Sequence, residues 1–487
     1  HDLLPWRMSR PPLPLLQPTA SLLLPLLLLQ PTRASLQPNT LPSMAPPPWL
    51  PVRAPRVADR GAGRYTQARS GADGNVTLCW NAVEPEAGLR LARCGGSSCE
   101  GWSHPPTLVS GADGDPRFIR MRMAHRSSRP VLCHTSSGGR ALSLGICLDA
   151  VCSQFKAVEL ERAVKVRHCD LESSGREGTR VAAALSDEAG SRLVLLRVDL
   201  PTGSVAAKTV LATAADPFTV NETTRRPERG IEGPVLADRS LAYWDISGRR
   251  LRLVFDTADP RRSSVVVAQG GGAGVAAAGG MVNPGAWTRL LAVGKDALLL
   301  TFFDLARHSL FLARCFRLLR RCDAPVLVDA TAFHGDIRRR KPHPQVARPA
   351  AAPAAALPFP PQPRLASHSP APSPRPRRSD FGAGAFPDLA LSPHGAPALA
   401  YFVEASPSRG CLRVLRCSDP LCGSWRLFDA SCGPRGYGRD ASLAFGRDGA
   451  IVASFLDLDG HDDPARMIAR VAVYNDSQGA VLADYIR

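Results

Sequence analysis

"LRLARCGGSSCEGW" (residues 89–102) sets two cysteines behind a short alternating strand, and "LRVLRCSDPLCGSW" (residues 412–425) repeats the arrangement. Reduced to apolar, any, apolar, any, any, Cys, four residues, Cys, the pattern fits Leu89-Leu91-Cys94-Cys99, Leu142-Leu144-Cys147-Cys152 and Leu412-Val414-Cys417-Cys422. A looser copy, Leu310-Leu312-Cys315, has its second cysteine two places late at Cys322. An aromatic stands three residues past the second cysteine in the strict copies (Trp102, Phe155 and Trp425), whereas the loose copy has Pro325. Three further copies keep the strand without the cysteines, at Leu193-Leu195, Leu251-Leu253 and Ala469-Val471.

These starts recur every 51–59 residues once a Pro-rich tract is removed from the one long interval. A fixed period of this size marks repeated supersecondary units. Before several copies stand two apolar runs joined by a Gly-containing turn, as in "LALSPHGAPALAYF" (389–402), and after each cysteine pair comes one more β-prone run. Four short strands per unit, with almost no helix-period segment, predict propeller blades. The expected fold is therefore an all-β, seven-bladed β-propeller of four-stranded blades, spanning 62–487.

The cysteine pairs are then expected to bracket the turn between the third and fourth strands. Opposed antiparallel residues bring Cβ atoms to about 4.5–5.5 Å, near the roughly 3.5–4.5 Å a disulfide needs. Bridges Cys94–Cys99, Cys147–Cys152, Cys417–Cys422 and Cys315–Cys322 follow, each worth about 2 kcal/mol at most because the loops are short. Zinc is the weaker reading, since no paired His supplies the missing ligands. Of the remaining cysteines, Cys79 and Cys133 read as buried thiols, Cys169 is unassigned, and Cys411 with Cys432 is a candidate fifth bridge. Recurrent bridges point to an oxidising compartment.

The flanking tracts agree with that compartment. From Met8, a basic Arg10, an apolar Leu22–Leu29 run and small residues at Thr32 and Ala34 read as a secretory signal, within a Pro-rich N-terminal tract 1–61. The apolar run is too short for a bilayer span, which takes about 20 residues, so no transmembrane segment is expected. Residues 337–379 read as a disordered Pro/Arg-rich insert between the fifth and sixth blades, and 269–280 as a smaller Gly-rich one. Asn75, Asn221 and Asn475 head glycosylation sequons.

The net charge of +17 does not argue for nucleic acid. Eleven of those charges sit in 1–60 and 336–380, and aromatics make up only 6% of the chain, too few for a stacking platform. The chain also has no nucleophile elbow, HExxH, phosphate loop or dinucleotide fingerprint, so no cofactor is expected. Asp457, Asp459, Asp462 and Asp463 around Gly460 form a weak calcium candidate, which lacks the downstream Glu of a calcium loop and reads better as a solvated acidic turn.

The quoted cysteine repeats resemble those of extracellular β-propellers of the broad sialidase-like group. That resemblance implies binding or scaffolding, with sugar cleavage in some members. The Asp-box Ser-x-Asp-x-Gly-x-Thr-Trp is missing, so no catalytic residue is carried over to this chain. The sequence thus favours a secreted binding or scaffold module for glycans or an extracellular protein. A sialidase-like glycoside hydrolase and an intracellular propeller scaffold stand as the alternatives.

Overall fold

The computed structural model describes residues 56–474, except 61, 84–86, 97–98, 100, 111–116, 125–126, 164, 175–177, 221–226, 272–280, 282, 330–382, 407–408, 435 and 459–466. They form a seven-bladed β-propeller of antiparallel sheets, with one short two-stranded ribbon (219–220 with 227–229) between the third and fourth blades. Every copy of the repeat marks the third strand of a blade: Gly88–Gly95, Ala141–Cys147, Gly190–Val198, Arg250–Val254, Ser309–Phe316, Arg409–Cys417 and Ile468–Tyr474. No helix among the described residues is long and apolar enough to cross a membrane. The signal-like run and the insert 337–379 lie outside the described residues.

Two details differ from the expected layout. The outer strand of the seventh blade is Arg56–Arg60, which pairs antiparallel with Ile468–Tyr474. The ring therefore starts upstream of residue 62 and closes by pairing the two ends of the described chain. In the fifth blade the outer strand is split, since both Arg321–Cys322 and Val326–Asp329 pair with Ser309–Phe316. Pro325 stands in the break and has no N–H to donate to a ladder.

Burial explains the sequence texture. Second strands such as Val76–Ala82 and Ile451–Asp457 are buried along their whole length because a neighbouring blade covers each face. Continuous apolar runs such as "ALLLTFFD" (297–304) are the result. Outer strands such as Phe155–Arg162 and Val205–Ala214 are largely exposed and carry polar residues. The core is divided among the seven blade interfaces, each with its own apolar cluster. Polar ties link adjacent inner strands. Ser442 Oγ accepts from Ala68 N (2.9 Å), Asp170 Oδ2 from Leu236 N (2.8 Å) and Asp388 Oδ2 from Leu443 N (3.0 Å).

The bridges are Cys94–Cys99, Cys147–Cys152, Cys315–Cys322, Cys417–Cys422, Cys411–Cys432 and Cys133–Cys169. In the three strict copies the residue opposite the first cysteine is the trailing aromatic, not the second cysteine: Trp102, Phe155 and Trp425 oppose Cys94, Cys147 and Cys417. The second cysteine sits inside the turn with left-handed backbone (φ 51°, 60° and 56°). Asp149 and Asp419 brace two of these turns by accepting from backbone N–H groups, including Val151 N at 2.9 Å and Leu421 N at 3.0 Å. Cys315 and Cys322, from the looser copy, do oppose each other directly, as do Cys411 and Cys432. Cys133 corrects the thiol reading, because it is bridged to Cys169 of the next blade, and among the described residues Cys79 alone is a free thiol. Burial pushes the Cys79 thiol up to about 12, which makes it inert.

Replacing Cys417 and Cys422 by alanine should cost no more than about 2 kcal/mol, since the loop closed is very short. Chemical denaturation of the double variant checks this.

Candidate functional site

The inner strand of every blade carries a bulge at the same place. Register shifts fall at 64/67, 117/120, 166/169, 232/235, 286/289, 385/388 and 439/442. In six of the seven the first bulged residue has left-handed backbone: Tyr65, Phe118, Gly233, Trp287, Phe386 and Asp440. A bulge re-aims its side chain, and these side chains line one cavity of about 290 Å³ at the mouth of the central channel. Glycine two residues upstream makes room in several blades. At Gly285 (φ 128°) a Cβ would lie 2.5 Å from the Trp244 ring.

The mouth has two aromatic arcs. Tyr65 and Phe118 sit with ring centroids 5.2 Å apart, and Trp287 and Phe386 4.7 Å apart. They come from blades 1 and 2 and from blades 5 and 6, so they face each other across the ring. Between them on one side, His168 Nε2 lies 2.8 Å from Glu232 Oε1. Arg167 stacks over Phe218 at 4.0 Å and approaches Glu232 at 3.7 Å. On the other side stands Asp440, whose Oδ2 accepts from Tyr65 N at 3.3 Å.

These groups differ in charge state. Burial holds His168 below its ordinary value despite Glu232, which favours neutral imidazole. Burial alone would raise Glu232, but the hydrogen bond with His168 Nε2 and the charge of Arg167 outweigh it and hold it below its ordinary value. Asp440 is pushed up by burial, which its hydrogen bond from Tyr65 N only partly offsets.

Beneath the mouth the channel narrows into a charged throat of Arg69, Arg120, Arg122, Asp170, Arg289 and Asp388. Arg69 Nη1 pairs with Asp388 Oδ2 at 2.8 Å, and Arg289 Nε lies 3.4 Å from Asp388 Oδ1. Burial, with repulsion from Arg120, pulls Arg289 down to about 9. Arg120 reaches both mouth and throat and makes no hydrogen bond among the described residues; burial lowers it too. Five arginines thus face four carboxyl groups. The channel has a surplus of positive charge and donors to spare.

Of the residues named in the sequence, only Cys169, left unassigned there, lines this cavity. Asp457 is buried and accepts from Arg470 Nε at 2.7 Å, which makes it an ion-pair partner. Asp459, Asp462 and Asp463 lie outside the described residues, as do Asn221 and Asn475. Asn75 sits in the first hairpin turn of blade 1, its Nδ2 donating to Asp73 Oδ2 at 3.1 Å. Among the described residues one group has metal-ligating spacing, Cys411, Asp429 and Cys432. Its sulfurs are bonded to each other and Asp429 is held by Arg413 at 2.6 Å. The sequence does carry a signal for the cavity: "GRYT" (63–66), "GAWT" (285–288), "GAFP" (384–387) and "GRDA" (438–441) repeat Gly, any, bulged residue.

Neither a protein family nor a curated protein matches the chain by sequence. Among solved structures, the chain is similar to an ulvan lyase of polysaccharide lyase family PL25 (8% identity, 87% of this chain and 96% of that one, TM-score 0.48). It is also similar to the BP39L lectin from Burkholderia pseudomallei (9%, 86% and 96%, TM-score 0.45). A third is the intramolecular trans-sialidase from Ruminococcus gnavus (8%, 87% and 97%, TM-score 0.39).

Proposed function

We propose that this chain is a secreted binding propeller of sialidase-like type that takes a saccharide unit bearing an anionic group at the mouth of its central channel. The observation carrying this reading is the pairing of two facing aromatic arcs with a guanidinium, Arg120, at the floor between them that makes no hydrogen bond among the described residues. Aromatic faces suit the C–H faces of a sugar ring and tolerate hydroxyls at its edge. A planar guanidinium whose N–H groups make no internal hydrogen bond suits a carboxylate or sulfate, which it binds through parallel N–H donors. A volume of about 290 Å³ lies at the small end of ligand pockets, which run to about 1,000 Å³. It fits a terminal unit better than a long chain. Six disulfides support export to an oxidising compartment.

A glycan array followed by calorimetry tests the reading. Trp287→Ala should weaken the best ligand by about thirtyfold, as for a buried aromatic anchor. Arg120→Gln should weaken an acidic saccharide at least about tenfold and leave its neutral congener unchanged. Absence of any saccharide hit, or affinity indifferent to Trp287→Ala, would sink the proposal.

A glycoside hydrolase is the second reading, favoured by one observation: Asp440 and Glu232 share a mouth, but their environments bias one toward the acid and the other toward the carboxylate. Divergent carboxyl groups of this kind can divide acid and base roles. Release of new reducing ends from the bound saccharide, abolished by Asp440→Asn, separates this reading from simple binding.

A further inference from the structure

The face opposite the channel mouth carries an apolar tip ringed by arginines. In the fifth blade the loop containing Leu305, which lines the mouth, precedes the third strand Ser309–Phe316. The turn at 317–320 follows that strand and so lies at its other end. At this turn Leu318 is 86% and Leu319 60% exposed, the two most exposed large apolar side chains among the described residues. The turn is nevertheless firmly held. Arg317 N donates to Asp296 O (2.9 Å), Leu318 N to Asp296 Oδ1 (2.6 Å) and Arg320 N to Arg317 O (3.1 Å), with Cys315–Cys322 closing its base. A rigid turn that still presents two leucines to water has not simply failed to pack them.

Around the tip stand Arg320 and Arg321 and, from the equivalent turn of the fourth blade, Arg261 and Arg262, all exposed. The two turns touch, since Arg320 Nη1 donates to Arg262 O at 3.1 Å. None of these four arginines forms an ion pair among the described residues, and they outnumber the exposed Asp259 and Asp323 of the same turns two to one.

We infer that this tip docks the propeller onto an anionic membrane surface, with Leu318 and Leu319 entering the headgroup boundary and the four arginines meeting lipid phosphates and carboxylates. Protein-binding hot spots centre on desolvated pockets rich in aromatics. A convex pair of leucines flanked by unpaired guanidinium groups instead fits the combination of shallow apolar insertion and electrostatic attraction that holds peripheral proteins to anionic lipid. Because tip and mouth lie at opposite ends of the blades, a ring seated this way turns its channel outward.

The test is co-sedimentation of the full chain with phosphatidylcholine vesicles, pure or containing phosphatidylserine at about 7:3. Binding is expected with the mixed vesicles, falling as salt rises, and not with pure phosphatidylcholine. Leu318→Ser with Leu319→Ser should cut partitioning about tenfold or more. Arg261→Gln with Arg262→Gln should cut it about fivefold per charge. Both sites are exposed, so thermal melts should not move. The inference fails if the leucine variant binds mixed vesicles as the parent does while deletion of 337–379 abolishes binding, because that tract alone would then be the anchor. It fails equally if the parent binds neither vesicle, or if it binds a polyglutamate resin with the same dependence on the two leucines, which would make the partner an acidic protein.

Discussion

Replacing Asp388 by asparagine should destabilise the ring by roughly 3–5 kcal/mol, the cost of stranding buried charges whose partner has gone. The Asp388 carboxylate is buried and joins three other blades: Arg69 of the first, Arg289 of the fifth, and Ser442 with Leu443 N of the seventh. Arg69 and Arg289 are themselves mostly covered, with side-chain exposures of 12% and 14%, so water cannot take over for the lost carboxylate. Burial would raise Asp388, but attraction to Arg69 and Arg289 and hydrogen bonds from Arg69 and Ser442 hold it far below the ordinary carboxylate range. The sign of the pH effect follows. A group with a depressed native pKa stabilises the fold at every pH above its unfolded value, about 3.9 for Asp, and loses that contribution as pH falls below it. The parent should therefore lose stability steeply under about pH 4, and Asp388→Asn should show a shallower acid limb. Urea midpoints across pH measure both effects. A shift at neutral pH under about 1 kcal/mol, the size of a surface pair, would show that the throat does not depend on this carboxylate.

The bridge between Cys133 and Cys169 should give the second large effect. It spans 36 positions and ties the second strand of blade 2 to the inner strand of blade 3. On chain-entropy grounds its loss costs about 4 kcal/mol, roughly twice that of any five-position hairpin bridge. Cys133→Ala with Cys169→Ala keeps the apolar cluster dry and isolates the cross-link. Because Cys169 and His168 both line the mouth, the variant should also bind its ligand more weakly even where it remains folded. Equal costs for this bridge and for Cys417–Cys422 would mean that blade packing alone sets the spacing of blades 2 and 3.

What the sequence displays most clearly is the third strand of each blade, because its alternation and its cysteine turn lie within a dozen consecutive residues. Blade number and blade period follow from that one element. The partner of Cys133 was not legible. Thirteen cysteines allow many pairings, and the two thiols meet only because neighbouring blades pack face to face. The cavity was hidden for a related reason. Its walls come from seven inner strands, each contributing a bulge of one or two residues, and no local window holds more than a single wall. Gly63-x-Tyr65, Gly285-x-Trp287 and Gly384-x-Phe386 look like ordinary turn-and-strand sequence until the repeat frame aligns them. Of the aspartates after Leu456, which read better as a solvated acidic turn than as a calcium site, Asp457 alone is described, and its ion pair with Arg470 joins residues 13 positions apart that no local window pairs.

The outer strand of the seventh blade, Arg56–Arg60, is made before any of its partners, and its ladder with Ile468–Tyr474 is the longest-range pairing in the ring. During synthesis the first blade can form as soon as its own four strands have emerged, yet the leading strand must wait, unpaired, until almost the whole chain is available. A ring short of its last blade is an open arc whose first and last blades each show an apolar face that a neighbour covers in the closed ring, and such faces invite association with a second arc. Pairing Arg56–Arg60 with Ile468–Tyr474 covers both faces at once, so a chain cut before residue 468 should associate through them where the closed ring does not.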